Sequence, residues 1–130
     1  MFRRKLIYIQ VHPGHFLARV AGEPKSIRKE CAGLTHPRTL ARDFSSIEAA
    51  MKDILNEFQT FQSRILKPHV LVHLIPTFEG GYTQIELRAF REAAVAAGAT
   101  FPWLLDNKYG PLREDQLSEI SAGLKTNLFS

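Results

Sequence analysis

Five histidines and a thin scatter of carboxylates are the side chains with which this 130-residue chain could do chemistry. His12 and His15 flank Pro13-Gly14, a His-x-x-His pair that can hold zinc when further ligands converge. His69 and His73 stand four apart in the apolar run HVLVHLI. On a strand that spacing puts them on one face about 13 Å apart, too far for one metal ion. Cys31 is the one cysteine, which leaves no cysteine pair for zinc and no internal disulfide framework. It has no partner sequence for a catalytic dyad, and a small buried thiol is its default role. Ser45, Thr77 and Thr83 read as caps and loop residues rather than nucleophiles. A two-metal nuclease needs several carboxylates, the first of them on its first strand. Residues 5–12 (KLIYIQVH) contain no acid. Glu86, Asp106 and Asp43 could act together only if the fold brought them together. No metal site and no cofactor are expected, and Glu86 and Asp106 are the acidic catalytic candidates.

The elements that must position these side chains are legible in the pattern. Apolar residues make up 45% and charged residues 23%, an ordinary globular composition. The length suits one domain with one core, residues 1–130. No apolar run approaches the ~18 residues of a membrane helix. The basic start, Met1 to Lys5, leads into a strand rather than a signal peptide. A cytoplasmic domain without a membrane span is expected.

Residues 5–12 and 15–21 (HFLARVA) read as strands joined by the Pro13-Gly14 turn, an antiparallel hairpin. Gly22-Glu23-Pro24 turns the chain into a weaker third strand over 25–32. Residues 33–42 form a polar connection. Ser45-Ser46-Ile47-Glu48 fits a capping box. Ile47, Ala50, Met51, Ile54, Leu55, Phe58 and Ile65 then form the stripe of a helix stopped by Pro68. Glu48 and Lys52 are spaced for an i,i+4 pair. Residues 69–75 suit a strand buried on both faces, as in a parallel sheet. Thr83-Gln84-Ile85-Glu86 is a second capping box, opening a helix that ends at Ala97 with Gly98 as terminator. Its inward stripe is read as Ile85, Ala89, Ala93 and Ala97, and capping is the plainer role for Glu86. Residues 101–105 form the next strand, with Trp103 in the core or as an edge anchor. Residues 113–125 form a third helix with Leu117, Ile120 and Leu124 inward. The order β-β-β-α-β-α-β-α predicts an α/β fold, a mixed sheet with helices on both faces. It is the order of ribonuclease H-like and actin-like ATPase domains.

Residues 67–107 (KPHVLVHLIPTFEGGYTQIELRAFREAAVAAGATFPWLLDN) resemble one stretch of the MreB family, the bacterial actin-like rod shape-determining proteins. The family has a strand ending in Val-Pro, a loop, and a helix opening Thr-Glu-Val-Glu-Arg-Arg-Ala. Here Ile75-Pro76 ends the strand, and Thr83-Gln84-Ile85-Glu86-Leu87-Arg88-Ala89 opens the helix. Leu104-Leu105-Asp106-Asn107-Lys108 is similar to the family's Leu-Ile-Glu-Glu-Pro. Ala41-Arg42-Asp43-Phe44 looks like the Ile-Ala-Asp-Phe before its first helix.

The hairpin also aligns with the family's first phosphate loop, Asp-Leu-Gly-Thr-Ala-Asn-Thr, which falls on Gln10 to Phe16. By that resemblance Gln10 stands where the metal-organising aspartate belongs, and an amide holds a divalent cation poorly. His12 stands where a glycine lets the backbone approach phosphate, and Pro13 removes one amide donor. Gln10, His12, Pro13, Gly14 and His15 thus make a degenerate phosphate loop. Glu86 falls where the family helix carries an acid near the attacking water. The length matches the first core subdomain alone, a truncated form without the two-domain nucleotide clamp.

The resemblance therefore implies a noncatalytic, MreB-like domain that binds a protein partner or associates with itself, in cell-shape or cytoskeletal assembly. The charge keeps a second class open. Nine of the basic residues and three of the acids fall in residues 1–43, an excess of +6 against −2 for the remainder. Such asymmetry can mark a nucleic-acid-facing surface, as in a ribonuclease H-like binder or nuclease.

Overall fold

A computed structural model describes residues 5–34, 44–58, 68–75, 84–105 and 110–126. In chain order they form β1 (Leu6–His12), β2 (His15–Val20), β3 (Ser26–Glu30), a 3-10 turn (Ala32–Leu34), α1 (Phe44–Glu57), β4 (His69–Leu74), α2 (Gln84–Ala97), β5 (Thr100–Leu105) and α3 (Glu114–Thr126). The expected order of strands and helices is present, with strand boundaries moved by one or two residues. Five strands form one mixed sheet in the order β3-β2-β1-β4-β5. β1 runs parallel to β4, and β4 to β5, while β2 is antiparallel to both β1 and β3.

The hairpin follows from its turn. Pro13 fixes the first turn position, and Gly14 takes φ 79° at the second, a backbone that a side chain disfavours. His12 and His15 are thereby set opposite each other. Central position makes β1 and β4 apolar. Every residue of β4 is buried, and in β1 only Gln10 and His12 are not.

Strand alternation sorts the side chains onto two faces. Ile7, Ile9, Val11, Val70, Val72 and Leu74 meet Ile47, Met51 and Ile54 of α1 and Phe90, Ala93 and Ala94 of α2. Leu6, Tyr8 and Leu71 occupy the opposite face, where Leu117 of α3 covers them with Leu112, Trp103, Leu105 and Ile120 around the rim. Helices on both faces were expected, and this division places them. Each fully buried Leu, Ile or Phe contributes about 1.5–3 kcal/mol, so the larger cluster dominates stability.

Four local readings are corrected. The inward stripe of α2 is Glu86, Phe90, Ala93, Ala94 and Ala97, while Ile85 is 77% exposed. Phe90 decides the face, because burying that ring outweighs burying Ile85 at the helix start. Ser45 is not the cap of α1, since the helix begins one residue earlier at Phe44. No Glu48–Lys52 pair forms among the described residues. Two other acids of α1 pair towards the β3 edge instead, Asp53 with Lys29 at 2.9 Å and Glu57 with Lys25 at 3.6 Å. Finally, α1 closes at Glu57, with Phe58 still buried in the following turn, and residues 59–67, up to the expected stop at Pro68, lie outside the described residues. Ile65 and Thr83 lie outside the described residues.

The end of α2 is as expected. Gly98 takes φ 116°, its amide donates to Val95 O at 3.0 Å, and the Ala99 amide donates to Ala94 O at 3.0 Å. These are the two bonds of a Schellman cap. Among the described residues no helix is long and apolar enough to cross a membrane.

Candidate functional site

The polar residues of β1 and its hairpin partner gather at one end of the sheet, on the face that α3 covers only in part. Gln10 lies opposite Leu17 of β2 on one side and His73 of β4 on the other. Leu17 in turn lies opposite Arg28 of β3, and His15 opposite Glu30. Gln10, His12, His15, Arg28, Glu30 and His73 therefore share this face.

Their polar atoms are mostly engaged with one another. His12 Nε2 donates to Gln10 Oε1 at 2.8 Å, and His15 Nδ1 donates to the Pro13 carbonyl at 3.2 Å. The two imidazoles lie stacked, with centroids 4.9 Å apart and planes 2° from parallel. Arg28 Nε donates to Glu30 Oε1 at 2.7 Å, which holds the Glu30 carboxyl below its usual range. Partial burial pushes the His12 pKa down, and the neighbouring His15, Arg28 and His73 push in the same direction. His12 is consequently a neutral donor at pH 7.

Deeper on the same face lies a buried relay. Tyr8 Oη donates to His73 Nδ1 at 2.6 Å and accepts from the Leu112 amide at 3.0 Å. His73 and Tyr8 are both fully buried. His69 sits two steps along the same face of β4, against Trp103, ring centroids 5.2 Å apart. The two β4 histidines thus share a face but serve different packing contacts, as strand spacing predicts. Trp103 is a half-buried anchor on the last strand of the sheet.

The acidic candidates do not converge with this cluster. Glu86 is buried in the first turn of α2, on the inward stripe that packs against the odd-numbered side of β1. Gln10 and His12 occupy the even-numbered side, so the sheet lies between them. Asp106 and Asp43 lie outside the described residues. Among the described residues no group of three His, Cys, Asp or Glu side chains is placed to hold a metal ion. Stacked rings explain why His12 and His15 fail as a pair: a shared ion must lie in the plane of both imidazoles. Cys31 is a buried thiol beside Ser46, with Sγ 3.6 Å from Ser46 Oγ.

No protein-family model matches the chain, and no curated protein does. The functional reading therefore rests on residues and geometry.

Pairing also changes the meaning of the basic first third. Lys5 meets Glu23 at 3.0 Å, Arg19 meets Glu114 at 2.9 Å, and Lys25, Arg28 and Lys29 meet Glu57, Glu30 and Asp53. Each described cation of residues 5–34 thus has an acid against it. Sequence reading missed the Tyr8 relay and these pairs. The signal for Tyr8 was its alternation with Leu6 and Gln10; the pairs, which join residues up to 95 apart in sequence (Arg19 to Glu114), left none.

Proposed function

We propose that this chain is a noncatalytic, MreB-like (actin-like), cytoplasmic domain that works as a protein–protein interaction module. The observation that carries the reading is the self-contained hairpin tip. At the positions that the resemblance assigns to a phosphate loop, Gln10 bonds His12, His12 stacks on His15, and His15 bonds the Pro13 carbonyl. A phosphate would meet two imidazole rings and a proline where it needs free amides and a cation. The strand order β3-β2-β1-β4-β5, with helices on both faces, supports a ribonuclease H-like or actin-like scaffold beneath that tip. The core is retained where the phosphate contacts are not, which suits a domain kept for its surface.

The ion pairs weigh against the nucleic-acid alternative. Nucleic-acid affinity comes from cations that release counterions from phosphate, and each described cation of residues 5–34 must first leave a carboxylate.

Isothermal calorimetry with Mg-ATP, with light scattering on the same sample, tests the reading. Absence of nucleotide binding at millimolar ligand is expected. Saturable micromolar binding overturns the noncatalytic assignment. Heparin retention that falls steeply with salt would favour the nucleic-acid alternative.

A further inference from the structure

Among the described residues a groove lies beside each edge strand of the sheet, and the two differ in how their charges are used. The groove between β3 and α1, about 560 Å³, is lined by Ile27, Arg28, Lys29, Asp53, Asn56 and Glu57. Its charges are mutually satisfied, since Lys29 holds Asp53 and Lys25 reaches Glu57 across it. The groove between α2 and β5, about 510 Å³, has Leu87 and Leu104 on its floor and Gln84, Arg88, Arg91 and Glu92 on its rim. Arg88 bonds Glu92 at 3.0 Å, but Arg91 has no acid against it among the described residues.

The strand beside this second groove is also the open one. No described strand pairs with the outer edge of β5. The β4–β5 register slips between His69 and Leu71, so the Thr100–Trp103 half of β5 carries the irregularity, with Pro102 inside it. Bulges and prolines are devices that guard an edge. Trp103, Leu104 and Leu105 lie beyond it in regular register and carry no charge, whereas β3 presents Arg28, Lys29 and Glu30.

We propose that the α2–β5 groove is a docking site for a short extended segment of a partner protein that carries an acidic side chain beside apolar ones. The segment lies along Trp103–Leu105, its apolar side chains on Leu87 and Leu104 and its carboxylate on Arg91. Such strand addition takes affinity from the main chain and specificity from alternate side chains. Charge complementarity selects the occupant. A second copy docking by the same patch would set two net-positive patches together, each with Arg88, Arg91 and one acid, Glu92, already bonded to Arg88. An acidic partner segment removes that repulsion. The site gives the interaction-module reading a location and a ligand chemistry, and it rests on that reading.

The test titrates the full chain, labelled with nitrogen-15, with the capped peptides Val-Asp-Val-Asp-Val and Val-Lys-Val-Lys-Val. Amide shifts at Leu87, Arg91 and Leu104 are expected with the acidic peptide, which binds about fivefold more tightly than the basic one. In R91E, an exposed change that leaves the core intact, that preference inverts. Equal binding of the two peptides, or no shifts at millimolar peptide, overturns the proposal. Shifts mapping to another surface overturn the groove while leaving the module reading standing. Saturable Mg-ATP binding by the same sample overturns both.

Discussion

Removing one oxygen tests whether the Tyr8 relay fastens the C-terminal helix. In Tyr8→Phe the ring still fills its place between Leu6, Leu71 and Leu117, so packing is conserved. Two hydrogen bonds are lost, to His73 Nδ1 at 2.6 Å and from the Leu112 amide at 3.0 Å. A net bond is worth about 0.5–1.5 kcal/mol, and a buried group that loses its partner costs about 1–3 kcal/mol. His73 is fully buried, so solvent cannot replace the hydroxyl at Nδ1, whereas Leu112 is only half-buried and its amide can recruit water. The expected loss is about 2–3 kcal/mol, which moves a urea midpoint down by roughly 1–2 M at a typical slope. Hydrogen exchange should show the Leu112 amide losing protection first. A loss below about 0.5 kcal/mol, near the scatter of neutral surface changes, would refute the relay as a fastening. The pH dependence gives a second check. Burial raises the Tyr8 pKa above its usual 10.0. The folded state holds that proton more tightly, so the contribution is complete below pH 10 and is lost as pH climbs through the folded value. Tyr8→Phe should therefore show a flatter stability profile above pH 10 than the parent.

Three other outcomes are expected. His12 has a folded pKa below 6.5, so its contribution is complete above pH 6.5 and is lost as pH falls through the folded value; proton NMR of its ring gives the titration, and the isosteric Gln10→Glu should raise that pKa by placing a carboxylate at Nε2. Glu114→Ala removes the acceptor of the Gly22 amide at 2.6 Å and the partner of Arg19; discounted for the half-exposed carboxylate, the loss is about 1 kcal/mol, with faster hydrogen exchange in α3 and no change in α1. Phe90→Ala should cost about 3–5 kcal/mol in chemical denaturation, while Ile85→Ala stays within about 0.5 kcal/mol; the reverse ranking would restore Ile85 to the buried face.

The parts of the fold that were legible are those fixed by short-range patterning. Pro13-Gly14 between alternating strands dictates a hairpin, the unbroken apolar run of β4 dictates a central strand, and Gly98 dictates a helix end. Each signal acts within a few residues. The misplaced stripe of α2 shows where this stops. Ile85-Ala89-Ala93-Ala97 and Glu86-Phe90-Ala93-Ala97 are both helical spacings, and a carboxylate at one end argues against the second. Tertiary packing chose it nonetheless, because Phe90 has a pocket between α1 and the sheet. The candidate site was half legible for a similar reason. Gln10, His12 and His15 are neighbours through the hairpin, so their grouping followed from the turn. That Glu86 falls on the other side of the sheet depends on which face α2 packs against, and no local spacing records that.

Charge shows the same limit with a functional consequence. The excess of +6 in residues 1–43 is a property of a segment, but electrostatic attraction belongs to a surface. Among the described residues of that segment, five cations meet five acids, and three of those acids, Asp53, Glu57 and Glu114, come from helices outside it. The helices thus bring back to the surface of the hairpin region the negative charge that the segment lacks. A polyanion approaching either face of the sheet must compete with a carboxylate 2.7–3.6 Å from each of these cations, and those pairs are restored the moment it leaves. Arg91 faces no such competitor among the described residues, although it stands in the part of the chain whose net charge is negative. A lone cation on an apolar floor is worth more to an acidic side chain than five cations already paired, because nothing must be displaced for it to bind. The described part of the region that composition marks as basic is thus the weaker candidate for an acidic ligand. The groove beside β5, which composition does not mark at all, is the stronger.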